Sequence, residues 1–366
     1  MQDPTPREAT GPPVTRARRT RLVVAGLTVA VAIIGVVLVF TLIAGGDDAA
    51  SEADVVAILK VPGPPNWVTA GEDALWVSLI AGPGQPFGTG AKLERIDLAT
   101  GEADKTVTLD GVPLSSIRVG ESLWVGTQPD VTDTQPGAVV ELDWTTGEVL
   151  GSLDFDQPVG GLAYGDGSLW VEVIRPSAVF RVDPATRTVI GEPIPISQKR
   201  AIGLAFGEGA VWTTAHEDGM LVRIDPTTNH VDKVEVGAEP VGVVTSDGLV
   251  WVANRGSGTV SRIDPATMQP AGDPIAVGAT PTWITSFAGS VWVSNQVDGT
   301  VSRIDGATGE TVGAPIRIAP APEEAGDDSR QAAANALSGA GNSLWVTSLT
   351  AESVSRIDPS APEGES

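Results

Sequence analysis

Two histidines, His216 and His230, are the side chains best suited to act as a general base or to ligate a metal in this chain of 366 residues, which contains no cysteine. The lack of cysteine excludes a thiolate nucleophile, a disulfide and a Cys-ligated zinc site. His216 precedes Glu217 and Asp218, so this triplet could bind a cation, although a solvated polar loop is the interpretation we favour. No serine stands near His216 in the sharp turn that presents a serine nucleophile, and no phosphate-binding loop occurs. The sequence therefore offers little for catalysis.

A unit of about forty residues recurs along the chain and must position whatever site exists. Its first marker is a Trp inside an apolar triplet, and its second is an Asp that ends a triplet further along. The tryptophans are Trp76, Trp124, Trp170, Trp212, Trp251, Trp292 and Trp345. The aspartates are Asp97, Asp143, Asp183, Asp225, Asp264, Asp305 and Asp358. We expect the tryptophans to pack between repeats, the aspartates to cap turns, and the Arg that precedes most of them to lie on a solvated or blade-bridging face.

Each copy of the unit reads as four short strands, A to D, separated by turn sequences. In the fifth copy we predict strand A at 241–245, strand B at 249–253, strand C at 259–263 and strand D at 274–277. Strand B is apolar at consecutive positions, which indicates cover on both faces, as in a sheet stacked between two sister sheets. Radial stacking of seven such sheets gives an all-β, seven-bladed β-propeller.

The two ends of the repeat region are complementary. The seventh copy ends after Asp358 without a strand D, whereas residues 54–61 read as a strand D with nothing before it. We expect these segments to pair and close the ring, because closure removes the unpaired edges of an open array. The propeller then spans 54–358 and leaves 359–366 as a C-terminal tail.

The turn after strand C ends at one repeated position. In four copies this position carries a residue that suits a left-handed backbone: Gly101, Gly147, Asn229 and Gly309. Arg187 and Met268 occupy it in two further copies. We therefore expect that the closing position is not strictly left-handed.

The segment from Trp251 to Thr267, Trp-Val-Ala-Asn-Arg-Gly-Ser-Gly-Thr-Val-Ser-Arg-Ile-Asp-Pro-Ala-Thr, resembles the YVTN-type repeat family of propellers and, more distantly, the virginiamycin B lyase family. The resemblance covers 54–358 and implies the propeller fold, which hosts binding proteins, lyases and lactonases alike. The lyase resemblance implies histidines, a carboxylate and a divalent metal at one mouth of the ring. Because His216 follows a strand B and His230 follows a strand C, strand alternation puts them on opposite faces, where they cannot share a metal.

Calcium-dependent lactonases would require several oxygen ligands at the channel mouth. Glu172, Asn254 and Asn295 stand at the ends of strand B and are candidates for that role. Asn after a strand more often forms a turn, and we favour that interpretation. We expect no resident cofactor, with a divalent cation left open.

Three tryptophans fall outside the repeat, and two of them, Trp67 and Trp283, occupy the start of strand A in blades 1 and 6, where the other five blades carry a small residue. Insertions occur nearby at 79–91, 128–138 and 319–334, and strand alternation predicts that all three lie on one face of the disc. We predict a ligand- or partner-binding site in this sector, with the candidate residues Trp67, Trp283, Phe87, Gln128, Asp130, Glu323, Asp327 and Arg330. Ordinary loop variation, with tryptophans that fill gaps, is the alternative.

The uncharged apolar run 22–44 is long enough to cross a hydrocarbon core of about 30 Å as a helix. Four arginines stand just before it and two aspartates follow soon after it. We therefore predict a signal anchor, with 1–21 as a short cytoplasmic basic segment, 45–53 as a linker and the propeller outside the cytoplasm. A cleaved signal peptide is the alternative.

The formal net charge of −23, from 46 acidic and 23 basic residues, argues against nucleic-acid binding, because phosphate contacts need a basic surface. The combined prediction is a single-pass protein of the cell membrane. Its propeller binds an unidentified protein, peptide or small ligand at the membrane-distal face without catalysis. A metal-dependent lyase or lactonase is the alternative.

Overall fold

Seven antiparallel sheets make up the computed structural model, which describes residues 55–130, 135–318 and 334–360. The first strand, β1 (Val55–Lys60), belongs to the last sheet. Blade 1 contains β2 (Pro65–Ala70), β3 (Ala74–Leu79), β4 (Lys92–Asp97) and β5 (Ala103–Val107). Blade 2 contains β6 (Val112–Val119), β7 (Ser122–Gln128), β8 (Gly137–Asp143) and β9 (Val149–Phe155). Blade 3 contains β10 (Val159–Gly165), β11 (Ser168–Val173), β12 (Ser177–Asp183) and a split outer strand, β13 (Thr188–Val189) and β14 (Ile194–Ser197).

The remaining blades repeat the same order. Blade 4 contains β15 (Leu204–Gly207), β16 (Ala210–Ala215), a short 3-10 helix (His216–Asp218), β17 (Met220–Ile224) and β18 (Val231–Glu235). Blade 5 contains β19 (Pro240–Ser246), β20 (Leu249–Asn254), β21 (Thr259–Asp264) and a split outer strand, β22 (Gln269–Pro270) and β23 (Ile275–Ala276). Blade 6 contains β24 (Pro281–Phe287), β25 (Ser290–Asn295), β26 (Thr300–Asp305) and β27 (Ile316–Arg317). Blade 7 contains β28 (Leu337–Ala340), β29 (Ser343–Ser348), β30 (Ser353–Ile357) and β1.

The ring closes through β1, which pairs antiparallel with β30. Val55 lies opposite Ile357 and Lys60 lies opposite Ser353. The predicted seven-bladed propeller, completed by the two ends of the repeat region, is confirmed. The A strands contact one another in sequence around the ring, so they line the central channel.

Strand B is buried along its whole length in five blades and at every residue but the first in blades 2 and 5, because neighbouring blades cover both of its faces. All seven repeat tryptophans are at most 4% exposed, which confirms that they belong to the core. In four blades the indole Nε1 donates a hydrogen bond to a backbone carbonyl five residues earlier, as from Trp251 to Ser246 at 3.2 Å. In these four blades the buried indole therefore keeps its one polar group paired.

Two of the repeat arginines, Arg181 and Arg262, contact the next blade, whereas hydrogen bonds within their own blades are formed by Arg95, Arg223, Arg303 and Arg356. Arg303 lies 5.0 Å from the ring centroid of Trp292, and three other blades repeat this stacking. Arg181 also donates from Nη1 to the carbonyl of Pro226 in the next blade at 2.8 Å. The stacked guanidinium of Arg181 therefore joins the core of its blade to the turn of the next one.

The repeated Asp caps its turn in all seven blades, as predicted. In blade 5, Asp264 Oδ1 accepts the amides of Ala266 at 2.8 Å and Thr267 at 3.0 Å. The prediction for the closing residue was wrong, because the backbone is left-handed at all six positions considered. Met268 has φ 56° and Arg187 has φ 57°, close to the 60° of Asn229. The amide of Met268 bonds to the carbonyl of Asp264 at 2.9 Å, so the turn itself imposes this conformation.

Strand alternation gives the disc two faces. The loops between strands B and C and between strands D and A share one face, here called the loop face. The turns between strands A and B and between strands C and D share the other, here called the turn face. Val55 begins β1 at the turn-face end of blade 7, opposite Ile357 and next to the Asp358 turn.

No helix in the described parts of the chain is long and apolar enough to cross a bilayer. The predicted span 22–44, the basic segment 1–21 and the linker 45–53 all lie outside the described residues, and so do residues 361–366 of the predicted tail.

Candidate functional site

The two tryptophans outside the repeat, Trp67 and Trp283, meet at the loop-face end of the central channel. Their ring centroids are 4.7 Å apart and the ring planes are inclined by 81°, an edge-to-face arrangement. Trp67 comes from strand A of blade 1 and Trp283 from strand A of blade 6, so they approach each other across blade 7. Gly161 and Gly203, at the corresponding positions of blades 3 and 4, line the cavity beside the pair. The structure thus brings together the two residues at the centre of the predicted site.

Protein groups already occupy the polar atoms of both indoles. Trp67 Nε1 donates to the carbonyl of Ser116 at 3.0 Å, and Trp283 Nε1 donates to Asn335 Oδ1 at 3.1 Å. Asn335 in turn donates from Nδ2 to the carbonyl of Asn66 at 2.6 Å. This chain of hydrogen bonds fixes both rings and links blades 6, 7, 1 and 2. The rings offer a ligand their aromatic surface rather than a hydrogen-bond donor.

A cavity of about 100 Å³ lies against the tryptophan pair and is called the channel cavity here. Its walls are apolar side chains interrupted by small residues, and none of the residues that line it carries a charge. They are Trp67, Ser115, Ser116, Gly161, Leu162, Gly203, Leu204, Val243, Trp283 and Ile284. Uncharged polar groups therefore contribute to the lining beside the apolar side chains.

A buried carboxyl lies directly behind the channel wall. Glu172, on strand B of blade 3, is fully buried, accepts a hydrogen bond from Thr213 Oγ1 and receives the amide of Gly161 at 3.4 Å. Burial raises the pKa of Glu172 from 4.5 to about 7, although the hydrogen bonds from Thr213 and Gly161 and the charge of Arg200 act in the opposite direction. In the sequence, the signal for Glu172 was an acidic residue in a strand B that is otherwise apolar and covered on both faces. Its position next to the channel could not be read from the sequence.

Phe87 lies on the insertion of blade 1, and its side chain is 41% exposed. Together with Pro64, Gln85 and Leu349 it lines a second cavity, of about 170 Å³, between this insertion and the loop of blade 7. At its base, Ile80 packs in a small apolar cluster with Leu349 and Val112. The insertion therefore covers the junction of blades 7, 1 and 2 and also carries an exposed aromatic ring.

The other candidate residues have different surroundings. Gln128 ends β7 and is 1% exposed, and its Nε2 donates to the carbonyl of Val159 at 2.7 Å. It therefore belongs to the contact between blades 2 and 3 rather than to the open loop. Asp130 is half-buried at the start of the insertion. Glu323, Asp327 and Arg330 lie outside the described residues.

The histidines lie at opposite ends of β17, as predicted. His216 Nδ1 is 3.0 Å from the carbonyl oxygen of Pro240 on the loop face, and His230 Nε2 is 3.2 Å from Asp232 Oδ1 near the turn face. Within residues 55–130, 135–318 and 334–360, no three His, Asp or Glu side chains are grouped so that they could hold a metal ion.

The asparagines considered as calcium ligands bind other side chains of their own blades. Asn254 Nδ2 donates to Ser261 at 2.9 Å and to Thr259 at 3.2 Å. Asn295 repeats the arrangement in blade 6 with Ser302 and Thr300. Each amide ties strand B to strand C. They stand in blades 5 and 6, whereas Glu172 stands in blade 3.

The fold and the channel site define the chain as a seven-bladed β-propeller, and comparison with known proteins agrees on the fold. No protein-family model and no curated protein sequence matches the chain. A solved streptogramin B lyase is 14% identical with a TM-score of 0.64, and the match covers 82% of this chain and 96% of the lyase. Virginiamycin B lyase from Staphylococcus aureus is 13% identical with a TM-score of 0.65, over 82% and 98% of the two chains.

Two further solved structures are similar to the chain. A catalytically inactive variant of the Staphylococcus aureus lyase, in which alanine replaces a histidine, is similar to the same degree and was solved with quinupristin. A chain of the mitotic checkpoint complex is 14% identical with a TM-score of 0.68, over 89% of this chain and 99% of that one. At such low identity these similarities establish the fold and leave the activity open.

Proposed function

We propose that the protein is a membrane-anchored, extracytoplasmic propeller that binds a ligand or a protein partner through its loop face and does not catalyse a reaction. The observation that carries this proposal is the contact between Trp67 and Trp283 beside an apolar cavity. Two large aromatic side chains replace small residues there, at the end of the channel that also carries the insertion of blade 1. Aromatic side chains above a preformed cavity are a common basis of recognition.

The anchor is the apolar run 22–44, which the arginines before it orient with the N-terminus in the cytoplasm. Because Val55 enters blade 7 on the turn face, a short linker from the membrane would leave the loop face pointing away from the lipid. The site at Trp67 would then be accessible to partners outside the cell.

The geometry of the polar groups supports binding without catalysis. Replacement of one histidine accompanies the loss of activity in the lyase solved with quinupristin. In the described part of this chain, His216 and His230 lie at opposite ends of one strand. His216 Nδ1 pairs with a backbone carbonyl and His230 Nε2 pairs with one carboxylate. Neither histidine is joined by a second histidine and a carboxylate on one face.

Crosslinking in intact cells tests the binding proposal. A photoreactive amino acid at Phe87 of the full chain should capture a specific partner, because this side chain is exposed beside the second cavity. The matched control is Val149, which is 50% exposed at the turn-face end of blade 2. Capture at Phe87 alone supports the loop face as the binding surface. Capture only at Val149, or identical products at both positions, contradicts it.

Cysteine labelling tests the topology independently, since the natural chain has no cysteine to interfere. Phe87→Cys should react with a membrane-impermeant maleimide in intact cells. Thr5→Cys, in the segment predicted to be cytoplasmic, should react only after the cells are permeabilised. Labelling of both variants in intact cells would contradict the anchor.

A metal-dependent lyase or lactonase is the second candidate, favoured by the structural similarity to the lyases. It predicts a divalent cation bound in equimolar amount to the purified full chain, and a loss of that metal in His216→Ala. Metal analysis of both proteins decides between the two functions. An equimolar metal that His216→Ala releases would favour the enzyme.

A further inference from the structure

We propose that the channel cavity binds an alkylated ammonium group, such as the head of choline or a methylated lysine side chain, within the ligand of the loop face. The inference rests on the proposed binding function and names the chemistry that the site recognises.

The indoles present aromatic surface and no donor. Because Ser116 and Asn335 take their two N–H groups, a ligand cannot gain a hydrogen bond from either Nε1. What remains is aromatic surface, and the two rings stand nearly perpendicular, at 81°, with the edge of one ring against the face of the other. Two aromatic walls at a corner are the arrangement that attracts a quaternary ammonium through cation–π interactions.

The cavity is suited to methyl groups in size and polarity. The channel cavity, at about 100 Å³, is smaller than the dry cavity of ~150 Å³ that accepts benzene, so it admits the methyl groups of an ammonium head rather than a whole ligand. Leu162, Leu204, Val243 and Ile284 supply apolar contacts on the walls away from the tryptophans. A bare ammonium or a guanidinium would lose its hydration there, and the hydroxyls of Ser115 and Ser116 already have protein partners, whereas methyl groups need no acceptor.

The electrostatic environment selects a cation over a neutral group of the same shape. No lining residue carries a charge, but the carboxyl of Glu172 lies behind the wall, against the amide of Gly161, which does line the cavity. The charged group that acts on Glu172 is Arg200, and its effect is smaller than that of burial. With a net charge of −23 the whole chain also attracts cations. At a pH above about 7 the carboxylate is charged and would stabilise a cation in the channel.

The test compares choline with 3,3-dimethylbutan-1-ol, a neutral molecule of the same shape in which carbon replaces nitrogen. Titration calorimetry of the purified full chain at about pH 8 should show choline binding at least about tenfold more tightly, which corresponds to a desolvated cation–π interaction. Equal affinities would show an apolar cavity without cation selectivity, and no binding of either probe would exclude the site. Either result overturns the proposal. Partner capture at Phe87 is a separate measurement, so failure of the ammonium chemistry can be told from failure of the proposed function.

Substitutions test which residues cause the selectivity for choline over the neutral molecule. Trp67→Leu and Trp283→Leu should each bring the ratio of the two affinities close to one, and Glu172→Gln should lower it about threefold. Tyr164→Phe changes an exposed aromatic residue of strand A that does not line the cavity and should leave the ratio unchanged. An unchanged ratio in both tryptophan variants would contradict the proposal. The ratio of the choline and 3,3-dimethylbutan-1-ol affinities is first measured on the natural chain. The proposal can therefore be tested even if a substitution prevents folding.

Discussion

Val55 lies opposite Ile357 in the antiparallel ladder that joins the first strand of the propeller to the last strand of the repeat. Side chains along β1 alternate between half-buried and exposed. Leu59 packs against a cluster that contains Trp345 and Val354, whereas its neighbour Ile58 is 56% exposed. The inward face of β1 therefore holds blade 7 together, and its outward face contributes little.

Substitution of these two neighbours tests how much the closing strand stabilises the ring. Leu59→Ala should lower the free energy of unfolding by about 1–2 kcal/mol, because a half-buried side chain loses part of its apolar contact. Ile58→Ala should change it by less than about 0.5 kcal/mol, as is usual at an exposed site. Urea denaturation of the full chain measures both. Equal losses of stability in the two variants would contradict the conclusion that only the inward face of β1 stabilises the ring.

The repeated aspartates predict a shared sensitivity to acid. Hydrogen bonds from the amides of Thr267 and Ala266 lower the pKa of Asp264 below its ordinary value of 3.8, and the other six behave alike. A carboxyl whose pKa is lower in the folded chain stabilises the fold above its ordinary pKa. That stabilisation is lost as the pH falls through the folded value.

Asp264→Asn separates the hydrogen bond from the charge. At neutral pH the Asn variant should be more stable than Asp264→Ala, because the side-chain amide oxygen still accepts the two backbone amides. As the pH falls below 3.8, the difference between the natural chain and the Asn variant should shrink. Thermal unfolding across the acid range measures it. A constant difference would show that the charge plays no part.

The repeat made most of the fold predictable. Seven Trp triplets and seven Asp turns define the blades, and the missing strand after Asp358 requires the pairing with β1. The site was predictable only in part. Blade order places Trp67 and Trp283 on either side of blade 7, but whether two side chains meet across a channel depends on rotamers and on Asn335, which fixes one ring.

Two failures have identifiable physical reasons. Gln128 was grouped with the insertion of blade 2, but β7 extends to include it, so its side chain pairs with the next blade instead of facing solvent. Met268 was expected to avoid a left-handed backbone. The hydrogen bond from its amide to Asp264 forces that conformation whatever the side chain. In both cases a hydrogen bond to a backbone carbonyl, of Val159 for Gln128 and of Asp264 for Met268, outweighs the conformation or exposure that the residue type would favour.

The left-handed closing position can be tested at Gly101, which has φ 74°. A Cβ at this position would lie 3.6 Å from Leu59 Cδ2, an ordinary contact, so the backbone alone sets the cost of a side chain. Gly101→Ala should lower the free energy of unfolding by about 1 kcal/mol. Gly101→Asn should cost less, because Asn tolerates this conformation, as Asn229 does in blade 4. Equal losses in denaturation would contradict the conformational explanation.

Glu172 predicts that stability declines toward alkaline pH. Because burial raises its pKa from 4.5 to about 7, the folded chain retains a proton that the unfolded chain has released, and stability falls as the pH rises from about 4.5 through about 7. The loss is on the order of 3 kcal/mol. Glu172→Gln removes the titration, so its stability should stay level and exceed that of the natural chain at about pH 8. Glu235→Gln, at an exposed site, should follow the natural chain in urea denaturation at each pH. If Glu172→Gln also declined with pH as the natural chain does, the dependence would have another source.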